Sequence, residues 1–185
     1  MRIFIGSSSE QYPVVKEIKR DLMSELQSQT VEIVTWKEWF MRGVNYGLDT
    51  WAVIMNAIDY FDCAIMLLAG DDKTEFRDHN YLSTRDNVLI ESGAFAQSIG
   101  IDKVFLLIDN NDQYRTPSDY RGLNAISFDY TRGADNPEAY ATMSEKISQI
   151  EAQEIQKVST AVNPDKIKDK DHNLTLHNEK RGKIR

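Results

Sequence analysis

Hydrophobic and polar residues alternate along the chain in blocks that predict strands and helices in turn. Short β-branched and apolar runs predict five strands, at Arg2–Gly6, Val31–Trp36, Phe61–Leu68, Lys103–Ile108 and Ala125–Tyr130. The run at Phe61–Leu68 is apolar throughout, which is typical of a strand buried on both faces. The first helix is predicted by apolar residues that recur every four positions, at Val14, Ile18, Leu22 and Leu26.

Four helices are predicted between and after these strands. They run from Pro13, from about Thr50 to Asp59, over Arg85–Ile99, and from Pro137 to about Lys157. Asp49 or Thr50 is expected to cap the second helix, Ser83 or Thr84 the third, and Gly100 to end the third. Residues 39–47 are predicted to be irregular, and residues 69–84 to form a long polar loop, a kind of loop that is usually functional or mobile.

The alternation of strand and helix predicts an α/β fold. We expect a five-stranded parallel sheet, doubly wound, in three α/β/α layers. Ligands of such sheets bind outside the carboxyl ends of the strands. The turn at 6–10, the segment 36–43, the loop 69–84 and the start of the helix at Arg85 should meet there. This domain is predicted to cover residues 1–157. Residues 158–185 lose periodicity and aromatic side chains, so we expect a disordered tail.

The charge of the chain is uneven and argues against nucleic acid as its main partner. The formal net charge is −7, from 22 basic and 29 acidic residues. Residues 163–185 hold 7 basic and 4 acidic residues, a net of +3, which leaves 15 basic and 25 acidic residues, a net of −10, for the rest. An acidic body repels a polyanion.

The sequence disfavours a disulfide-stabilised protein, a membrane protein and a metalloprotein. The single cysteine, Cys63, lies in an apolar run and is expected to be a core residue. We see no signal peptide and no apolar run of the ~20 residues that a membrane span needs, so we expect a cytoplasmic protein without membrane contact. Asp71 and Asp72 have no spaced His or carboxylate set around them, so no metal site is predicted.

Glu91 is the strongest candidate for a functional residue in the sequence. It stands in the helix-like window Arg85–Phe95, among apolar and small residues. A carboxylate is rarely buried unless something pairs with it. Glu91 is therefore either held locally, by pairing with a buried arginine or by capping a neighbouring helix, or presented to a ligand, and the spacing leaves both open. Asn87 precedes it by four residues, so the two share a helix face.

Two further segments could contact a ligand at the same edge. The turn Gly6-Ser7-Ser8-Ser9-Glu10 follows the first strand, and its small residues would let backbone amides approach a phosphate or ribose. It is neither a dinucleotide fingerprint nor a P-loop, and an ordinary strand–helix turn remains the alternative. Trp36, Trp39 and Phe40 could stack on a flat heterocycle, although core filling is the more frequent use of such rings.

A single carboxylate can suffice for cleavage of another glycosidic bond, the nicotinamide–ribose bond of NAD+. The sequence has no nucleophile elbow, no activated cysteine and no strong two-carboxylate glycosidase site. Nicotinamide leaves a pyridinium as a neutral base, so no general acid is needed. What needs stabilising is an oxocarbenium-like ribose, and a preorganised carboxylate such as Glu91 can do this electrostatically.

The order of these motifs resembles a known family. The motifs are Ile3–Glu10, Trp36 with Phe40 and Gly43, Asp71-Asp72, Arg85-Asp86-Asn87-Val88 with Glu91, Gly93 and Phe95, and Pro117-Ser118-Asp119 with Gly122. Over about residues 1–130 the chain resembles the TIR-like domain of bacterial anti-phage effectors, in which that domain is joined to a cyclic-nucleotide sensor, as in TIR–STING proteins and the pyrimidine cyclase system.

The resemblance implies a flavodoxin-like TIR fold and NAD+ glycohydrolase activity, giving nicotinamide and ADP-ribose or a cyclised form. It implies that Glu91 is catalytic and that NAD+ is a substrate, with no cofactor. Its implied substrate-binding residues are Gly6, Ser7 and Ser8 in the first turn, Trp36 or Phe40 beside the nicotinamide, Asp71, and Arg85 and Asn87 on the ribose side.

The resemblance also implies self-association into an active assembly after a sensor binds its cyclic nucleotide. Only about 28 polar residues follow the last predicted helix, too few for a sensor domain, so the chain could be a standalone TIR domain, a truncated effector or a subunit gated by a separate partner. Two alternatives remain. One is a nucleotide-sensing module without turnover, and the other is a nucleoside 2-deoxyribosyltransferase-like enzyme that uses the glutamate as a covalent nucleophile.

Overall fold

The structure, a computed structural model, describes residues 1–26, 30–120 and 123–161. The chain divides into two units, Met1–Ile147 and Ser148–Arg185. The first holds the sheet, and the described part of the second is the remainder of one helix. The disorder expected for 158–185 falls mostly outside the described residues, and the helix backbone continues to Ala161. The domain boundary at residue 157 therefore stays a prediction.

The sheet confirms the predicted α/β fold. Seven strands lie in the described residues: β1 Arg2–Gly6, β2 Glu32–Thr35, β3 Cys63–Leu68, β4 Asp72–Phe76, β5 His79–Ser83, β6 Val104–Asp109 and β7 Ala125–Phe128. Five of them form a parallel sheet in the order β2-β1-β3-β6-β7. This is the strand order of flavodoxin-like folds, in which the direction of winding switches between β1 and β3.

In the described part of the chain five α-helices connect or follow the strands: α1 Tyr12–Leu26, α2 Trp36–Phe40, α3 Thr50–Tyr60, α4 Asp86–Ile99 and α5 Pro137–Ala161. Asp49 caps α3 as predicted, because its carboxylate accepts a hydrogen bond from the Ala52 N–H at 2.9 Å. Gly100 ends α4 with a φ of 94°, a left-handed conformation that favours glycine. Within the described ranges, no helix combines the length and the apolar character that a membrane crossing needs.

The core has a layer on each face of the sheet. On one face Phe4, Met66 and Leu68 pack with residues of α3 and α4, and the rings of Phe4 and Phe95 stack at 5.0 Å. The strand residues that alternate with these, such as Ile5 and Ile65, are also fully buried, as is the inner side of α1. Strand β3 is thus buried on both faces, as its continuous apolar run predicted.

Cys63 confirms its expected place in the core. It is fully buried, and burial raises the pKa of its thiol to about 12. A thiol with so high a pKa holds its proton at neutral pH and is a poor nucleophile.

The prediction of an irregular segment at 39–47 is wrong at its start, because helix α2 covers Trp36–Phe40. A capping box stabilises this short helix: the Glu38 N–H donates to Thr35 Oγ1 at 3.3 Å, and the Thr35 N–H donates to Glu38 Oε2 at 2.8 Å. A single 3₁₀ turn follows at Gly43–Asn45.

The prediction of a long polar loop at 69–84 is also wrong, because this segment contains the antiparallel hairpin β4–β5. Arg77 and Asp78 form its two-residue turn, and both have positive φ, 53° and 63°. That conformation is the one that two-residue hairpins prefer. The sequence hides it because neither Asn nor Gly stands in the turn and most hairpin residues are exposed.

The predicted caps of the third predicted helix, Ser83 or Thr84, are wrong as well. Arg85 occupies the cap position of α4, and its side chain makes no capping hydrogen bond. The Thr84 hydroxyl instead shares a hydrogen bond of 2.5 Å with the Tyr114 hydroxyl. Thr84 therefore ties the start of α4 to the segment after β6.

Candidate active site

The turn after β1 and the loop after β3 meet through Asp71. Ser8 Oγ donates a hydrogen bond of 2.5 Å to Asp71 Oδ2, and Gln11 Nε2 donates one of 2.7 Å to Asp71 Oδ1. Ser7 and Ser8 are both buried. These contacts lie at the carboxyl ends of neighbouring parallel strands, where such folds bind ligands.

Gly6, at the end of β1, leaves room for the Met66 side chain of the neighbouring strand β3. A Cβ atom at Gly6 would lie 2.7 Å from Met66 Cε and 2.8 Å from Met66 Sδ. A larger residue at Gly6 would displace the Met66 side chain, and the serines that follow Gly6 lie at the switch point between β1 and β3.

The three rings after β2 separate into two groups. Trp39 is buried in the core, and its indole N–H donates to the Val53 carbonyl at 3.0 Å. Trp36 is half-buried, and its indole N–H donates to Ser7 Oγ at 3.1 Å. Phe40 lies edge-on to Trp36, with ring centroids 6.0 Å apart. Core filling therefore accounts for Trp39, while Trp36 and Phe40 are half-buried against the core and lie beside the turn after β1.

Arg85 connects the turn after β1 with the hairpin. Its guanidinium lies 2.7 Å from Glu10 Oε1 and 3.5 Å from Asp72 Oδ1. Two carboxylates therefore already balance its charge. A ligand that recruits Arg85 has to compete with these partners, which are partly exposed and thus only weakly bound.

Glu91 is half-buried on α4. Val88 and Phe95, three residues before it and four after it, are fully buried, so Glu91 lies at the edge of the buried helix face. Among the described residues its carboxylate has neither a hydrogen bond nor an ion pair. Burial alone raises its pKa to about 7. The pairing alternative for Glu91 thus finds no support in the described part of the chain.

The predicted site residues fall into two sets. Direct contacts link Ser7, Ser8, Asp71, Trp36 and Phe40, and Arg85 adjoins this set through Glu10. In the described ranges neither Glu91 nor Asn87 shares a hydrogen bond, ion pair or ring contact with that set, and the Asn87 side chain is exposed.

Sequence reasoning missed two residues that shape this edge. Gln11 holds Asp71 from the start of α1. Asp109 ends β6 and accepts a hydrogen bond of 3.2 Å from the Gly70 N–H. The position of Asp109 at a strand end was a usable signal, whereas Gln11 carried none. In the ranges that the structure covers, no three His, Cys, Asp or Glu side chains converge as metal ligands would.

The fold and this edge define the class of the protein: a flavodoxin-like α/β domain of the TIR type, with a small-residue turn after β1 and a half-buried glutamate on the helix that follows the hairpin. Residues 2–130 match the family described as CAP12/Pycsar effector protein, TIR domain. The chain belongs to this family, which confirms the resemblance drawn from the sequence.

Curated relatives agree with this assignment. CD-NTase-associated protein 12 of Niabella drilacis is 33% identical over 135 residues, covering 72% of this chain and 41% of the relative. Pycsar effector protein XpPycTIR of Xanthomonas perforans is 32% identical over 135 residues, covering 73% of this chain and 42% of the relative. The matched segment thus spans about two fifths of the length of these relatives.

Proposed function

We propose that the protein is an NAD+ glycohydrolase that serves as an effector in anti-phage defence. It cleaves the nicotinamide–ribose bond of NAD+ to give nicotinamide and ADP-ribose or a cyclic form. The observation that carries the proposal is the half-buried Glu91 carboxylate, which has no partner among the described residues and whose pKa is raised to about 7. The family membership supports the same class of effector.

In the proposed reaction the carbon–nitrogen bond between ribose and nicotinamide breaks, and its electron pair goes to the ring nitrogen. The pyridinium becomes neutral nicotinamide, and positive charge develops on the ribose. The ionised Glu91 carboxylate stabilises this charge, and water or a ring nitrogen of the adenine then attacks the same carbon. Attacking water loses one proton to the solvent. Burial makes the carboxylate more effective because the effective dielectric constant is low there.

The remaining predicted residues take binding roles in this proposal. Gly6, Ser7 and Ser8 bring backbone amides to the substrate, and the hydrogen bonds of the Ser7 and Ser8 hydroxyls to the Ser8 carbonyl and to Asp71 keep their turn in place. Trp36 and Phe40 flank the nicotinamide ring.

Arg85 and Asn87 orient the ribose side in the same proposal. NAD+ is the substrate, and no cofactor is part of the reaction. An exposed Asn87 and a partly exposed Arg85 suit residues that a ligand covers on binding.

Self-association belongs to the same proposal. Six large apolar side chains between Met41 and Met55 are exposed: Met41, Val44, Tyr46, Leu48, Trp51 and Met55. So many exposed apolar residues in one segment mark an interaction surface. We propose that a second copy covers them in a cytoplasmic assembly, and that a separate cyclic-nucleotide sensor triggers this assembly.

The test follows nicotinamide release from NAD+ over a range of protein concentrations. The parent chain, Glu91→Gln and the exposed control Glu75→Gln are compared. We expect turnover that grows faster than linearly with protein concentration, a loss of at least a hundredfold in Glu91→Gln, and none in Glu75→Gln. For the parent, kcat/KM should rise as the pH increases through about 7, because Glu91 must lose its proton.

Other outcomes would select the alternatives. Saturable binding of NAD+ without products, at all protein concentrations, would indicate a sensing module. An unpartnered carboxylate also suits a covalent nucleophile. A ribosyl adduct on Glu91 in mass spectra, together with base exchange between nucleosides, would therefore indicate a deoxyribosyltransferase-like enzyme. Equal turnover by Glu91→Gln and the parent would contradict both enzymatic proposals.

A further inference from the structure

A second concave surface lies away from the candidate active site. It is a groove of about 500 Å³ between α1 and the segment Arg132–Tyr140, which leads into α5. Asn136 fixes that segment, because its side-chain amide donates to the carbonyls of Asp129 and Gly133 at 3.1 and 3.0 Å and its oxygen accepts from the Asp129 N–H. The groove therefore has one wall of helix and one of ordered turn.

Tyr140 lines this groove, and its buried hydroxyl is unsatisfied. The residue is 6% exposed, and its Oη atom is the buried side-chain polar atom that has no hydrogen-bond partner in the described residues. A buried hydroxyl without a partner costs free energy that a ligand bonded to it would recover. Burial and the nearby Asp21 and Glu17 carboxylates raise the pKa of Tyr140, so its hydroxyl stays protonated and can both donate and accept.

The charges around the groove leave an excess of carboxylates. Arg20 pairs with Asp21 at 2.7 Å, and Arg132 lies 3.3 Å from Asp135. Glu17 and Glu25 also line the groove, and within the described ranges neither has an ion pair. Glu17 and Glu25 are just over two helical turns apart on α1, which is a rise of about 12 Å. They lie on the same face of α1 as Asp21.

This arrangement suits a cation whose charges are spread along a chain. A single metal ion does not suit it, because no three ligating side chains of the described residues converge. Between the carboxylates, Ala134, Pro137 and the Tyr140 ring offer apolar surface for methylene groups. We propose that the groove binds a linear aliphatic polyamine: one terminal ammonium donates to Tyr140 Oη and Glu17, and the other reaches Glu25.

The test measures binding of spermidine to the full chain by calorimetry at low and physiological salt. Spermidine is compared with its terminally acetylated form, which has lost one charged end. Tyr140→Phe removes only the hydroxyl and keeps the ring, and Glu17→Gln removes one charge at constant shape. Glu75→Gln removes an equal charge elsewhere, so it reports general attraction to an acidic protein. Thermal unfolding shows that each variant is folded.

We expect saturable binding that Tyr140→Phe and Glu17→Gln each weaken about tenfold, as for a hydrogen bond to a charged group. Acetylated spermidine should bind as weakly, and Glu75→Gln should bind like the parent. Absent binding, or equal weakening by all three variants, would overturn the proposal. A lysine-rich peptide that binds in a Tyr140-dependent way where spermidine does not would overturn it too, in favour of a protein partner.

Discussion

Replacing Glu91 by glutamine is expected to make the protein more stable while it loses activity. Glutamine keeps the shape of the side chain and removes its charge. Burial raises the pKa of Glu91 from its ordinary value of 4.5 to about 7. At about 1.4 kcal/mol for each tenfold change in proton affinity, the ionised carboxylate costs the fold about 3 kcal/mol, and partial exposure reduces this to about 2–3 kcal/mol.

The direction in which pH changes the stability of the parent follows from proton linkage. The folded protein holds this proton more tightly than the unfolded chain, so the parent loses stability as the pH rises from about 4.5 to about 7. Glu91→Gln escapes that loss. The difference in unfolding temperature between variant and parent should be near zero at pH 4.5 and reach about 5–10 °C at pH 8.

Calorimetric unfolding of the parent, Glu91→Gln and the exposed control Glu75→Gln at both pH values measures this difference. The control should match the parent at each pH. If Glu91→Gln gains nothing at pH 8, or gains equally at pH 4.5, then Glu91 is not an unpartnered buried carboxylate. The observation that carries the proposed function would then be lost as well.

Two further changes test the frame around the site. Gly70→Ala should lower the free energy of unfolding, measured in urea, by about 1–3 kcal/mol. The reason is that the new Cβ would lie 2.8 Å from Leu82 Cβ and 3.2 Å from Asp109 Oδ2. An unchanged urea midpoint would show that the hairpin shifts freely. Asp78→Ala should lower the free energy of unfolding by about 1 kcal/mol in the same assay, because Asp78 has a left-handed φ of 63°. Asp78→Gly should not lower it, because glycine adopts this conformation freely. Equal effects of the two substitutions would contradict the two-residue turn.

Much of this fold was predictable because its core strands coincide with short apolar runs in the sequence. The continuous run at Cys63–Leu68 predicts a strand buried on both faces, and the parallel arrangement then brings the ends of β1 and β3 to one edge. The meeting of Ser8 with Asp71 follows from that arrangement, although 63 positions separate them. Local chemistry likewise predicted Asp49 as the cap of α3.

What was not predictable depends on contacts made at a distance. The hairpin β4–β5 is stabilised partly by backbone hydrogen bonds of Leu82 with Gln113 and Arg115, which no local pattern announces. The sequence alone predicts Thr84 as a helix cap, but in the structure its hydroxyl shares a hydrogen bond with the Tyr114 hydroxyl instead. The state of Glu91 is of the same kind, since a missing partner is a property of everything the fold brings near it and cannot be read from its neighbours in sequence.

The parallel sheet also sets an order of events during synthesis. The pairings of β3 join segments far apart in the chain: Ile3 of β1 pairs with Cys63, and Ala64 of β3 pairs with Val104. A nascent chain that ends before β6 therefore holds the apolar strand β3 with one edge unpaired. An open apolar edge is a template for aggregation. The stretch between Leu68 and Val104, which carries Asp71, Arg85 and Glu91, thus sets how long the growing chain stays exposed.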